Sequence, residues 1–469
     1  MVFSSLIFLY LFLPVLLIIY FMSPNPTYRI WVLIGFSYVF YAWGEPVWVL
    51  LLLLASLLGY VFALGIERYR GTGTAKFLYI AAVVLNIALL GFFKYAGFLV
   101  ENINAFLPIN LPVPDVKLPI GISFFTFELI CYLTDVHQGK IQAPRSPRKV
   151  LLYVSFFPHL VAGPIIRYTD IERQIERPRV TLSGFSEGVT RFVLGLGKKV
   201  LLANMLGETA PQLLNPGAET TSVLGLWFGI TLFALQIYFD FSGYSDMAIG
   251  LGKMLGFDLR ENFNYPYISK SMGEFWRRWN MSLGGFFRDY VYIPLGGNQR
   301  HYLRNLFAVW FLTGIWHGAS WNFVIWGLYC GALIFIERQF LGRWLGKLPG
   351  IVSHAYAVLA ILIGWVWFYF LDLSEAIQAL KTMFGGYSAD FANLRLMVIF
   401  QDHLLLYIAA ILLSTPLVKH SLRFAAKKLP RFGNGLAFFG TQALNAAILV
   451  AATMMLVGSS YNPFLYYRF

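Results

Sequence analysis

Charge is what this sequence has little of. Only 13% of its 469 residues are Asp, Glu, Lys or Arg, against roughly 25% in a soluble domain, which is too few to coat a water-facing surface. Cysteine is almost missing as well. Cys131 and Cys330 stand alone in apolar surroundings and read as small core residues, or at most as one disulfide. Neither Cys-x-x-Cys nor His-x-x-x-His occurs, so no metal site is expected. The alternating ~10-residue segments of a membrane barrel do not appear. Nor does a linker between soluble domains, an internal repeat, or a soluble basic domain that would suit nucleic acid.

Apolar residues fill the space. The chain is 58% hydrophobic and 18% aromatic, and apolar runs near the ~20-residue spanning length recur from end to end. The expected fold class is all-α, a polytopic integral membrane protein, because a helix satisfies its own backbone within lipid. Candidate spans are 5–22, 29–43, 46–66, 77–100, 119–136, 148–166, 186–206, 222–250, 303–316, 318–337, 354–371, 396–418 and 436–458, some of them re-entrant. The run Ser5–Met22 lacks a basic n-region and a small-residue cleavage site, so it reads as a first span rather than a signal peptide. The expectation is a single transmembrane domain, 1-469, with 459-469 a short external tail.

Lys and Arg number 36 against 23 acids, a net +13. Topogenic charge on cytosolic loops accounts for this; some of it would also suit an anionic cytosolic substrate or phospholipid. Basic loops at 67–76, 137–149 and 419–431 read as cytosolic, and 101–117, 207–221 and 372–396 as external. Both chain ends then fall outside. The basic segments 252–304 and 338–347 both read as cytosolic, so 305–337 must enter the membrane and return on one side, with His317 near its turn. A descent of about a dozen residues reaches ~18 Å into the membrane.

His317 lies in Thr313-Gly-Ile-Trp-His-Gly-Ala-Ser-Trp321. An imidazole in an apolar span marks a functional site by default, although a hydrogen-bonded core histidine is the plainer alternative. Desolvation favours the neutral imidazole that a general base needs, so the site suits proton abstraction from a hydroxyl or thiol. Asn280, after Phe275-Trp-Arg-Arg-Trp279, would orient that imidazole or hold a developing oxyanion, or merely cap an interfacial helix. The Trp and Arg residues of 275–280 and 286–292, with Arg277, Arg278 and Arg288, favour the headgroup interface and read as the lining of a cytosolic funnel or as peripheral anchors. Phe157-Pro-His-Leu-Val-Ala-Gly-Pro-Ile-Ile-Arg167 breaks a span, and His159 and Arg167 face the funnel if that break lines a cavity. Asp240 and Asp246 sit in the apolar run Tyr238-Phe-Asp-Phe-Ser-Gly-Tyr-Ser-Asp246. Unpaired carboxylates are expensive there, and Arg277, Arg278 or Arg288 are the expected partners.

These stretches, with Met1-Val-Phe-Ser-Ser5, Leu118-Pro-Ile-Gly-Ile-Ser-Phe-Phe-Thr-Phe-Glu128, Phe239-Asp-Phe-Ser-Gly-Tyr-Ser-Asp-Met-Ala-Ile-Gly250, Arg288-Asp-Tyr290 and Trp316-His-Gly318, resemble the membrane-bound O-acyltransferase family. The likeness covers nearly the whole chain and falls in the bacterial branch that O-acetylates alginate and peptidoglycan and D-alanylates teichoic acid. It implies an MBOAT-like helical ring around a tunnel with re-entrant helices, and His317 as the catalytic residue. It places Asn280 at the family's second polar position, where many bacterial members carry histidine and eukaryotic lipid acyltransferases carry asparagine. The terminal pattern Phe464-x-Tyr466-x-x-Phe469 looks like the end of the small partner peptide of teichoic-acid D-alanylation, which makes Tyr466 an acyl relay candidate; an aromatic membrane anchor is the alternative.

The resemblance therefore implies an O-acyltransferase of the bacterial inner membrane. Acetyl-CoA would be the donor, with no bound cofactor. A periplasmic or surface SGNH-type acetyltransferase would be the partner, an exopolysaccharide such as alginate or cellulose, or peptidoglycan, the acceptor, and membrane lipids the surroundings. A transporter or channel for acetyl donor or sugar is the alternative class. Direct O-acylation of a protein or lipid is another.

Overall fold

A computed structural model describes the chain apart from residues 108, 216–220, 388, 429–432, 459–461, 463 and 466–469, and apart from the side chains at 422–423, 425–428, 433–434 and 436–437. The protein is all-α. Among the described residues the β-type pairing is a single isolated bridge, Ser222 with Asp390. Six helices there are long and apolar enough to cross a membrane: Val49–Arg68, Gly73–Phe106, Val223–Leu255, Trp321–Leu345, Gly350–Tyr369 and Phe438–Gly458. Leu394–Asp402 and Leu404–Leu413 make a further apolar pair bent by 66°.

Several of the thirteen ranges expected as spans take another form, and the break in 148–166 is the one expected from Pro158, Gly163 and Pro164. The range 148–166 is interrupted after Pro147–Ser155 and resumes as the short helix Phe157–Leu160. The range 396–418 carries the 66° bend. The range 119–136 becomes Ile122–His137, a helix buried on nearly every side, as suits a core element.

The chain forms two compact units, one of 1–192 with 245–260 and the other of 193–244 with 261–469. The crossing at 244/245 falls inside the helix Val223–Leu255, in keeping with the missing linker. In the first unit, Phe3, Phe8, Phe12, Phe40 and Phe157 form an aromatic nucleus, with ring centroids 5.1 Å apart for Phe3–Phe8 and 5.3 Å for Phe40–Phe157. Rings at such spacings add to area burial. The break at Phe156 is held by Ser37, whose Oγ accepts the Phe157 N–H at 3.1 Å. Gly163 is needed below it, since a Cβ there would lie 2.3 Å from His159 Cα.

In the second unit, Tyr302–His317 and Trp321–Ile336 form an antiparallel helical hairpin turning at Gly318–Ser320. Its Ser320 caps the second helix by accepting the Asn322 N–H. The two backbones touch. A Cβ on Gly314 would lie 2.4 Å from the Phe323 carbonyl oxygen, and one on Gly327 2.3 Å from that of Trp310. Small residues permit this closeness, which is how apolar helices associate where no hydrophobic drive exists between them. The hairpin agrees with the turn expected near His317.

Gly327→Ala should therefore force the hairpin apart and lower stability by about 1–3 kcal/mol, read as a lower melting temperature in detergent. Gly91→Ala, whose Cβ meets nothing within 4 Å, should leave the melting temperature unchanged or raised.

Candidate active site

His317 is the last helical residue before the hairpin turn and is buried at 8% exposure. Three aromatic rings stand nearly perpendicular to its imidazole: Trp316 at 4.8 Å, Trp326 at 4.9 Å and Phe368 at 5.1 Å between centroids. Such packing fixes the ring's orientation, a geometric precondition for any proton transfer.

The imidazole opens on a cavity walled by Trp279, Trp326, Trp365 and Phe368, with Asp240 as its acidic residue. The free volume is about 20 Å³, room for about one water molecule. Phe464 and Leu465, from the end of the chain, complete the wall. They are 6% and 8% exposed, so this part of the segment expected as an external tail is packed into the fold. Tyr466 lies outside the described residues.

Asn280 is 5% exposed and separates the helices Met272–Arg278 and Met281–Phe287. Its φ of 43° is left-handed, a conformation asparagine tolerates better than most residues. The turn is pinned by Asn262, whose carbonyl accepts the Met281 N–H and whose Oδ1 accepts the Ser282 N–H. The cavity is lined by Trp279 and not by Asn280 itself. The geometry therefore supplies a backbone reason for asparagine at this position.

The carboxylates find other partners than the expected arginines. Asp240 pairs with Lys199 at 2.7 Å, and Asp246 with Arg191 at 2.6 Å. Arg278 instead pairs with Glu274 one helical turn away, and Arg288 with its neighbour Asp289. These arginines have an acid close in sequence, so local pairing satisfies them. Lys199 is not among the expected site residues, yet a lysine in the apolar run 186–206 is itself a signal.

A larger hollow of about 720 Å³ lies in the same unit, with Lys270, Arg277 and Arg338 on its walls. Its one carboxylate, Glu337, is already committed. It accepts the backbone N–H groups of Met272 at 2.6 Å and Gly273 at 3.0 Å, and the Tyr356 hydroxyl at 3.2 Å. Glu337 thus caps the helix that carries Arg277, and the hollow keeps a cationic character.

His159 and Arg167 belong to the first unit. His159 is completely buried, its Nδ1 2.7 Å from Oε1 of the equally buried Glu128. The Tyr153 hydroxyl sits 3.1 Å from the Glu128 carbonyl and 2.8 Å from that of Ile166, tying both sides of the broken segment together. Arg167 is half-buried at the start of the helix Tyr168–Glu176. Glu128 is likewise absent from the expected site residues, although it stands as an isolated acid in an otherwise apolar stretch.

Long apolar helices and a helical hairpin closed by glycines, with a buried histidine at its tip, define a multi-pass membrane protein. The sequence model of MBOAT, the membrane-bound O-acyltransferase family, matches residues 33–371. The chain belongs to that family and is an O-acyltransferase. It is 37% identical to the probable alginate O-acetylase AlgI of Azotobacter vinelandii over all of both chains. It is 32% identical to the peptidoglycan O-acetyltransferase of Helicobacter pylori, over 82% of this chain and 80% of the relative. Identity to the teichoic acid D-alanyltransferase of Bacillus subtilis is 28%, over 64% of this chain and 78% of the relative.

The Glu128–His159 pair makes a stability prediction. Glu128→Leu leaves a buried imidazole facing an apolar side chain, whereas Glu128→Leu with His159→Phe removes both polar groups. The single variant should be the less stable by roughly 3 kcal/mol, measured by thermal unfolding of the purified protein.

Proposed function

We propose that this O-acyltransferase moves an acetyl group from cytosolic acetyl-CoA, across the bacterial inner membrane, to an extracytoplasmic polysaccharide such as alginate. The observation that carries the reading is the His317 cavity, where a buried imidazole shares one wall with Phe464 and Leu465 near the end of the chain. The names of the relatives support a polysaccharide acceptor. The cationic hollow with Lys270, Arg277 and Arg338 supports a phosphate-bearing donor such as CoA, since Arg and Lys are the usual partners of phosphate.

In this reading His317 removes the proton of the attacking hydroxyl as it forms a bond to the thioester carbonyl. The sulfur of CoA leaves and takes up a proton. Asn280 assists by orienting groups or holding the oxyanion. Tyr466 is the proposed first acceptor, because Phe464 and Leu465 reach the cavity directly before it in sequence. The acetyl group then passes to an SGNH-type acetyltransferase outside the membrane, which esterifies the polymer. Both chain ends lie outside in this scheme, as the loop charges suggest.

The test uses purified protein with radiolabelled acetyl-CoA, followed by peptide mapping. Label should appear on Tyr466 and vanish in His317→Ala and Tyr466→Phe. Turnover in His317→Ala should fall by about 10²–10⁴-fold, the range expected when a general base is lost. Full turnover in Tyr466→Phe without any labelled peptide would reduce the tail to an anchor and leave direct handover to the partner. Full turnover in His317→Ala would remove His317 from the chemistry.

A further inference from the structure

Asp240 divides its two carboxylate oxygens between two tasks. Oδ1 lies 2.7 Å from Lys199 Nζ, and Oδ2 accepts the backbone N–H of Leu465 at 2.8 Å. Both side chains of the ion pair are nearly inaccessible, 5% exposed for Lys199 and 2% for Asp240. Lys199 belongs to a π-helical stretch, Lys198–Asn204, a departure from regular helix that frequently marks functional positions.

Two further contacts hold the same segment. Asn204, in the same stretch as Lys199, donates from Nδ2 to Asn462 Oδ1 at 3.3 Å. Tyr244, one turn beyond Asp240 on its helix, stacks on Phe464 with centroids 4.8 Å apart. The main-chain anchor sits between these side-chain anchors and the chain's last residues. Because it grips a backbone N–H, it fixes register whatever side chain residue 465 carries.

The charges explain why a pair is used. A buried carboxylate without a partner is costly, and Lys199 supplies the opposite charge at 2.7 Å. Lys199 Nζ occupies Oδ1, which leaves Oδ2 turned to the Leu465 N–H. Asp240 lines the cavity of about 20 Å³ that His317 shares, and Phe464 and Leu465 form part of the same wall.

We propose that the Lys199–Asp240 ion pair is a latch that seats the C-terminal segment, by the Leu465 N–H, in the His317 cavity. Asp240 and Lys199 are thereby positioning residues for acyl transfer. The inference rests on reading the His317 cavity as the transfer site, but docking of the tail can be measured without any acyl donor.

Hydrogen–deuterium exchange on the full-length protein in detergent reads the Leu465 amide directly. Lys199→Met with Asp240→Leu removes both charges and leaves neither buried alone. The Leu465 amide should then exchange about tenfold faster or more, as befits loss of a charged acceptor. Protection within Tyr302–His317 and Trp321–Ile336 should stay as in the wild type. In the acetyl-transfer assay kcat should fall while KM for the donor is retained. Leu465→Pro is the second variant. It deletes the N–H and leaves the ion pair untouched, and it should reproduce the kcat loss in a protein of wild-type thermal stability.

Unchanged exchange at Leu465 in the double variant would overturn the latch, as would wild-type kcat in Leu465→Pro. Loss of protection throughout the chain would also overturn it and make the pair a general structural one. Wild-type turnover in His317→Ala, together with the expected exchange at Leu465, would instead sink the transfer reading and leave the latch as a docking device.

Discussion

A charge placed among apolar side chains must meet its opposite or a hydrogen-bond donor, and that constraint organises this protein. Taking an ion out of water costs several kcal/mol even after relaxation. The chain has few ions to place, and three buried groups show how they are matched. Glu128 faces His159 at the broken segment of one unit. Lys199 faces Asp240 at the cavity of the other. Glu337 gathers two backbone N–H groups and a tyrosine hydroxyl at the start of the helix that carries Arg277 and Arg278. Each match ties an element to one far away in sequence, so that the polar groups act as registration points in an interior where apolar contacts alone are permissive.

Aromatic packing does the complementary work around His317. The hairpin closes on glycines because a Cβ on Gly314 or Gly327 would collide with a carbonyl across the interface. That closeness fixes His317 at the tip of the hairpin. Trp326 and Phe368 then stand edge to its ring, and Trp365 lies behind them, 5.3 Å from Phe368. The imidazole is thereby largely buried. The cavity that remains is small, and the end of the chain contributes to its wall. The fold thus places a buried imidazole and two residues near the end of the chain, Phe464 and Leu465, on one cavity wall.

How much of this the sequence disclosed differs from residue to residue. His317 is legible because an imidazole between Trp316 and Gly318 in an apolar run is costly to bury unless it has a task there. The helical hairpin around it is legible from basic segments on both sides. Asp240 and Asp246 are recognisable as groups in need of partners, but the choice of Lys199 and Arg191 over Arg277, Arg278 and Arg288 is not. The partners are 41 and 55 residues distant in sequence, while Arg278 and Arg288 have acids within four residues and are neutralised locally. The breaks at Phe156 and His403 are marked in the sequence by Pro158 and by the polar run Gln401-Asp-His403, but the 66° angle at the second is not.

The sequence by itself determined the class of protein: too little charge for a soluble surface, apolar runs of spanning length, and a motif set that places the chain among membrane-bound O-acyltransferases. These follow from local composition and short motifs, which one stretch of chain can carry alone. Only the tertiary structure decided which charges meet, that His159 answers to Glu128, that Asn280 occupies a left-handed turn beside the cavity-lining Trp279, and that Phe464 and Leu465 reach the cavity of His317. Those outcomes depend on close packing between segments remote in sequence, where distances of a few ångströms settle what is paired and what is left to react, and no linear pattern encodes such distances.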